Sequence, residues 1–160
     1  KKDFNLGPAQ DKIREIGEHL NTLDFHSVLL IEDDHDQAQL IKLILYRLSS
    51  KISITWAKTA EEAVSFLASG PADVSSLKQF DLIIADIFLG DGATGIDIWR
   101  FCKDNNPEIP IVISSYLNER QLLELLREDT KFPNYLKKPL SIRDVKDCLH
   151  GLAAADESIK

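Results

Sequence analysis

With 160 residues, 44% of them hydrophobic, the chain holds enough apolar material for one domain with a real core and is short for two. Its 26 acidic against 19 basic side chains give a formal charge of −7, which argues against an extended basic surface for nucleic acid or anionic lipid and suits a cytoplasmic protein or a cation binder. No apolar run approaches the ~20 residues that cross a bilayer, and no signal peptide opens the chain.

After the turn signal Gly7-Pro8, Ile13, Ile16, Leu20 and Leu23 recur at spacings of three and four, one apolar stripe on a short helix. Such a helix is marginal alone. It is expected either to lie on the domain's own surface or to serve as the end of a connector or a contact within a homodimer. The chain thus divides into an extension over 1–26, a domain over 27–152 and a tail over 153–160. It contains no Met, as expected of a processed chain or a piece of a longer one.

From residue 28 onward, apolar runs short enough for strands alternate with helical stripes. "VLLI" precedes Leu40, Ile41, Ile44, Leu45 and Leu48, and "ISITW" precedes Ala60, Ala63, Val64 and Leu67. "DLIIA" precedes Ile96, Trp99 and Cys102; "IPIVI" precedes Leu122, Leu123 and Leu126; "YL" precedes Ile142, Val145, Leu149 and Leu152. Most of these strands are continuously apolar, as expected where helices cover both faces of a parallel sheet. The prediction is an α/β, doubly wound domain with a five-stranded parallel sheet. Asn105-Asn106-Pro107 stops the third helix, and the polar loop "SGPADVSS" lengthens the second connection. Cys102 and Cys148 lie far apart within apolar helical patterns and read as buried free thiols. His19, His26, His35 and His150 have no ligand spacing, and Trp56 and Trp99 read as packing between sheet and helices.

In open sheets of this kind, sites form beyond the carboxyl ends of the strands where their order reverses. For the order 2-1-3-4-5 that point lies between the first strand, ending in Glu32-Asp33, and the third, ending in Asp86. Two like charges ~4 Å apart repel by about 4 kcal/mol at an effective dielectric of ~20, so crowded carboxylates require an opposing charge. A hard divalent cation supplies it, and Mg²⁺ favours one or two carboxylates plus waters and phosphate oxygens. Asp34 and Asp36 have a simpler use as caps of the following helix. The fourth strand ends in Ser114-Ser115, and the fifth is followed by Lys137-Lys138-Pro139. A metal-bound carboxylate facing an ammonium and a hydroxyl is what a phosphoryl group on that carboxylate would need.

These residues and the motifs "LLIEDD", "DLIIADIFLGDGATGID", "IVISSY" and "YLKKP" resemble the response-regulator receiver domain of two-component signalling, over about residues 27 to 152. The resemblance implies a flavodoxin-like fold in which Asp86 accepts a phosphoryl group from a phosphohistidine on a histidine kinase or phosphotransfer protein. It implies Mg²⁺ held by Asp33, by Glu32 through water, by Asp86 and by the backbone carbonyl of Phe88. Lys138 then resembles the lysine that pairs with the phosphorylated aspartate, Lys138-Pro139 the family's cis peptide, and Tyr135 the aromatic switch. The switch hydroxyl is read as Ser114, because "SSY" stands where the family has Thr-Ala and a variable residue; counting from Pro110 favours Ser115 instead.

Some features depart from the common form. The loop after Asp86 is one residue longer and lacks its Pro, with Gly90, Gly92 and Gly95 in place, so it is expected to be more pliable. "REDTKFPN", before the fifth strand, is extended. Phe88 and Tyr116 are expected to flank the phosphorylated carboxylate and shield it from water. The rival readings are a receiver-like docking module that is never phosphorylated, and an aspartyl-phosphate hydrolase built on Asp34-His35-Asp36.

Overall fold

The computed structural model describes residues 25–68, 80–90, 92–105, 107–127 and 131–157. Within them the chain alternates without exception: β1 (Ser27–Ile31), α1 (His35–Leu48), β2 (Ser53–Ala57), α2 (Ala60–Ala68), β3 (Leu82–Asp86), α3 (Gly95–Asn105), β4 (Ile111–Ser115), α4 (Glu119–Leu126), β5 (Asn134–Lys137) and α5 (Ile142–Glu157). The strands form one parallel sheet in the order β2-β1-β3-β4-β5, the predicted order. The predicted N-terminal helix and the loop over 69–76 lie outside the described residues.

The sheet is flavodoxin-like, with helices on both faces, and strand parity assigns each side chain to a face. Leu29, Ile31, Ile83, Ala85, Ile111 and Ile113 face α2, α3 and α4. Val28, Leu30, Leu82, Ile84, Val112 and Leu136 face α1 and α5. Burying an aliphatic side chain of this size contributes about 1.5–3 kcal/mol, and β1 and β3 spend nearly every residue this way. The reversal of chain order between β1 and β3 leaves their carboxyl ends adjacent and uncovered by a crossover.

Three stripe residues face outward: Leu40, Leu123 and Ile142 are exposed. Leu40 and Leu123 each adjoin a neighbour, Ile41 and Leu122, that already fills the inward position. A turn of 3.6 residues cannot bury both. Ile142 is the first residue of α5. The segment read as a tail from 153 continues α5 as far as Glu157, which suits the run of alanines in it, the strongest helix formers. Asp34 caps α1 by accepting from the Gln37 amide at 2.8 Å. Asn118 and Gln121 cap α4 reciprocally, in a capping box unremarked in the sequence. Among the described residues no helix is long and apolar enough to cross a membrane.

Candidate functional site

Register fixes the site. Ile31 pairs with Ala85, so the next residues, Glu32 and Asp86, emerge side by side past the sheet edge. Asp86 in turn pairs with Ser114 on β4. Glu32, Asp33 and Asp86 each offer a carboxylate oxygen, and these lie within 4.8 Å of one another. Glu32 is buried, Asp33 exposed and Asp86 half-buried.

Lys138 answers this charge. Its Nζ donates to Glu32 Oε2 at 2.8 Å and to Asp86 Oδ2 at 2.9 Å, with the ammonium end withdrawn from solvent. The side chain is aimed there by the turn after β5, where the Lys138-Pro139 peptide is cis and the Lys138 amide donates to the Ser115 carbonyl at 2.8 Å. Glu32 also accepts from the Asp34 amide through its other oxygen, at 3.2 Å. Burial pushes the Glu32 carboxyl above its usual range; the Lys138 bond opposes that, and the Asp86 charge adds to it. Burial would lower the Lys138 ammonium, but its bonds to Glu32 and Asp86 and their charges outweigh burial and hold it above the ordinary lysine value.

The loop between β3 and α3 closes the pocket. The Gly90 amide donates to Asp33 Oδ2 at 3.1 Å, and a Cβ on residue 90 would stand 3.0 Å from that oxygen. A Cβ at Gly95 would collide with the Asp86 main-chain carbonyl, so that position admits only glycine without a backbone shift. Within the glycine-rich loop, Gly95 N donates to Ile87 O at 2.9 Å, Gly92 N donates to Leu89 O at 3.3 Å, and Phe88 and Thr94 form a bridge.

The two serines differ in their surroundings. Ser114 is fully buried, and its hydroxyl has no hydrogen-bond partner among the described residues. The Ser115 hydroxyl accepts from the Leu117 amide at 3.3 Å. Tyr135 is half-buried on β5; its hydroxyl donates to the carbonyls of Ser115, at 3.0 Å, and of Leu117. Burial and then the Asp86 charge raise its phenol above the ordinary value. Phe88 and Tyr116 are exposed at the rim, 56% and 62%, and the Lys138 ammonium lies 5.7 Å from the Tyr116 ring centroid. Neither Asp34, spent on its cap, nor Asp36, 98% exposed, joins the carboxylate cluster.

Hard oxygen donors from two strand ends, one of them solvent-facing, suit a small divalent cation that keeps part of its water shell. Sequence reasoning missed the Gly90 amide and the indole of Trp56, whose Nε1 donates to the Glu32 carbonyl at 2.8 Å. A glycine four residues after a strand and a tryptophan on a neighbouring strand carry no pattern that announces either contact.

A doubly wound α/β domain with an acidic pocket and a buried lysine at its switch point defines the class of protein. The family model of the response regulator receiver domain matches residues 28–150, and the chain belongs to that family. No curated protein matches it. Among solved structures, a mutant of the anti-anti-sigma factor PhyR from Bartonella quintana is similar with a TM-score of 0.69 and 24% identity, over 94% of this chain and 57% of that one. The chain thus spans a little over half of that protein. A response regulator receiver domain protein from Clostridium thermocellum gives a TM-score of 0.65 at 19% identity, over 84% of this chain and 98% of that one. A two-component response regulator from Clostridium difficile gives 0.55 at 30% identity, over 79% and 97%.

Proposed function

We propose that this domain, over residues 27–152, accepts a phosphoryl group on Asp86 from a phosphohistidine of a histidine kinase or phosphotransfer protein in the cytoplasm, and signals through a changed surface. The observation that carries the reading is the shared hold of Lys138 on Glu32 and Asp86, at 2.8 and 2.9 Å, beside a third carboxylate. Glu32, Asp33, Asp86 and the Phe88 main-chain carbonyl would hold Mg²⁺, which when bound neutralises oxygens of the incoming phosphoryl group.

The Asp86 oxygen not engaged by Lys138 attacks phosphorus in line; the O–P bond forms as the P–N bond breaks, and the imidazole leaves with the electron pair. Lys138 stays beside the reacting carboxylate and balances charge gathering on the phosphoryl oxygens. The Ser114 hydroxyl, buried level with Asp86, is the donor for a further oxygen. Its movement frees space beneath α4 into which Tyr135 repacks. The domain promotes its own phosphorylation and dephosphorylation and turns over no separate substrate. Acetyl phosphate with Mg²⁺, followed by intact mass, is expected to add one phosphoryl group to the wild type and none to Asp86→Asn.

A second reading, a docking module that is never phosphorylated, has the likeness to PhyR in its favour, since that protein is named an anti-anti-sigma factor. An unmodified wild-type mass in the same experiment would favour it.

A further inference from the structure

β1 and β2 pair in register up to Ile31 and Ala57, and the Glu32 amide extends the ladder by one bond to the Ala57 carbonyl, at 3.1 Å. There β2 stops and the chain turns into α2. The Glu32 carbonyl, next in line on β1, takes its hydrogen from a side chain instead: Trp56 Nε1 at 2.8 Å. The indole reaches forward from a position level with Leu30 to do so.

The ring is held on several sides. Lys42, from α1, places its Nζ 4.2 Å from the ring centroid, and Lys58, just beyond β2, places its own at 5.0 Å. The His35 ring meets it edge-on at 5.7 Å and 63°. Beneath, Trp56 packs against the core shared by α1 and α5. Cations on an aromatic face are attracted by its quadrupole, so the two lysines favour one placement of the ring.

The Glu32 carbonyl belongs to the planar peptide that joins Glu32 to Asp33. Tilting that plane changes ψ of Glu32 and φ of Asp33 together, and any part of the change that the two do not cancel between them reorients both carboxylates. Mg²⁺ demands near-ideal octahedral geometry, more than most ions, and is correspondingly sensitive to such a tilt. We propose that Trp56 is a positioning residue for the cation site: its indole N–H, with the ring braced by Lys42 and Lys58, fixes the Glu32–Asp33 peptide and thereby the directions of the two carboxylates at the end of β1. This rests on the reading of that cluster as a Mg²⁺ site. It concerns a residue remote from the phosphoryl group, on the edge strand.

Trp56→Phe keeps an aromatic ring in the core and removes the N–H. Its Mg²⁺ dissociation constant, by calorimetry, is expected to rise about three- to tenfold, the worth of one hydrogen bond. Trp99→Phe, which deletes a tryptophan packed among residues of the opposite face, is expected to leave the constant unchanged. The same Trp99→Phe protein contains Trp56 as its sole tryptophan. Its emission is expected to shift on adding Mg²⁺, with the calorimetric half-point, because the acceptor of its hydrogen bond is the peptide of two ligands. A merely structural Trp56 would lower the melting temperature without that optical response. Wild-type affinity in Trp56→Phe, or emission blind to Mg²⁺ in Trp99→Phe, would overturn the inference while leaving the cation site standing. Failure of the wild type to bind Mg²⁺ or Mn²⁺ would remove the site and the inference together.

Discussion

Asp86 and Ser114 occupy paired positions on adjacent parallel strands, so the Ser114 hydroxyl is buried level with the carboxylate and finds no partner among the described residues. A buried hydroxyl without a partner costs about 1–3 kcal/mol, a cost the fold carries at one serine and avoids at the next. Ser114→Ala is accordingly expected to leave urea stability unchanged or to raise it by about 1 kcal/mol, while slowing phosphorylation by acetyl phosphate. Ser115→Ala, which loses the bond from Leu117, is expected to lower stability by about 1 kcal/mol and to phosphorylate normally. The opposite pattern in paired urea titrations and phosphorylation time courses would make Ser115 the switch hydroxyl.

Lys138 is the counter-charge of a buried acid, and removing one member of a buried pair typically costs about 3–5 kcal/mol. For Lys138→Met the penalty should depend on pH. Glu32 already has a folded pKa raised above its unfolded 4.5, and losing Lys138 removes the contribution that lowers it. A raised carboxyl gives stability present below the unfolded value and lost as pH rises through the folded one. The variant should therefore approach the wild type near pH 4.5 and fall furthest behind it near pH 8, without Mg²⁺. In the wild type, the raised Lys138 ammonium gives stability that is full below its unfolded value of 10.5 and lost only as pH climbs through its folded value. Equal penalties at pH 5 and 8 in urea would count against this coupling.

Much of this was legible beforehand. Parallel order, strand ends and the acidic pair followed from "VLLIEDD" and "LIIAD", because continuous apolar runs leave a charged residue only one place to go, the open carboxyl edge. What sequence concealed was long-range and polar: that the Gly90 amide would reach Asp33, 57 residues away, and that Trp56 would complete a ladder cut short by β2. The outward turn of Leu123 was hidden for a different reason, since adjacent leucines give the same periodicity whichever one faces inward.

Phe88, two residues after Asp86, and Tyr116, whose ring centroid lies 5.7 Å from the Lys138 ammonium, are both exposed, and on the proposed reading they would shield a phosphorylated Asp86 from attacking water. Phe88→Asn replaces a ring with a small amide able to orient that water. Hydrolysis of the phosphorylated protein, followed by intact mass after removing the phosphodonor, is expected to speed up severalfold. An unchanged or slower rate would remove the shielding role.

The thiols report on the two faces of the sheet. Cys102 lies within the α2–α4 side, fully buried, and burial pushes it up to about 11; Cys148 packs against the opposite core and is raised too, but half-buried. At pH 8 about one Cys102 in a thousand would be thiolate, the reactive form. A disulfide reagent should label Cys148 first and Cys102 only in denaturant, as peptide mapping would reveal. Rapid native labelling of Cys102 would show that the α3 side opens readily.

The Tyr135 hydroxyl fastens itself to carbonyls on both sides of Tyr116. One phenol thus clasps the turn leading into α4 from two points, and rotating the ring away would unfasten both together. If Tyr135 is the switch proposed above, that shared fastening would make the turn into α4 let go at both carbonyls in one movement.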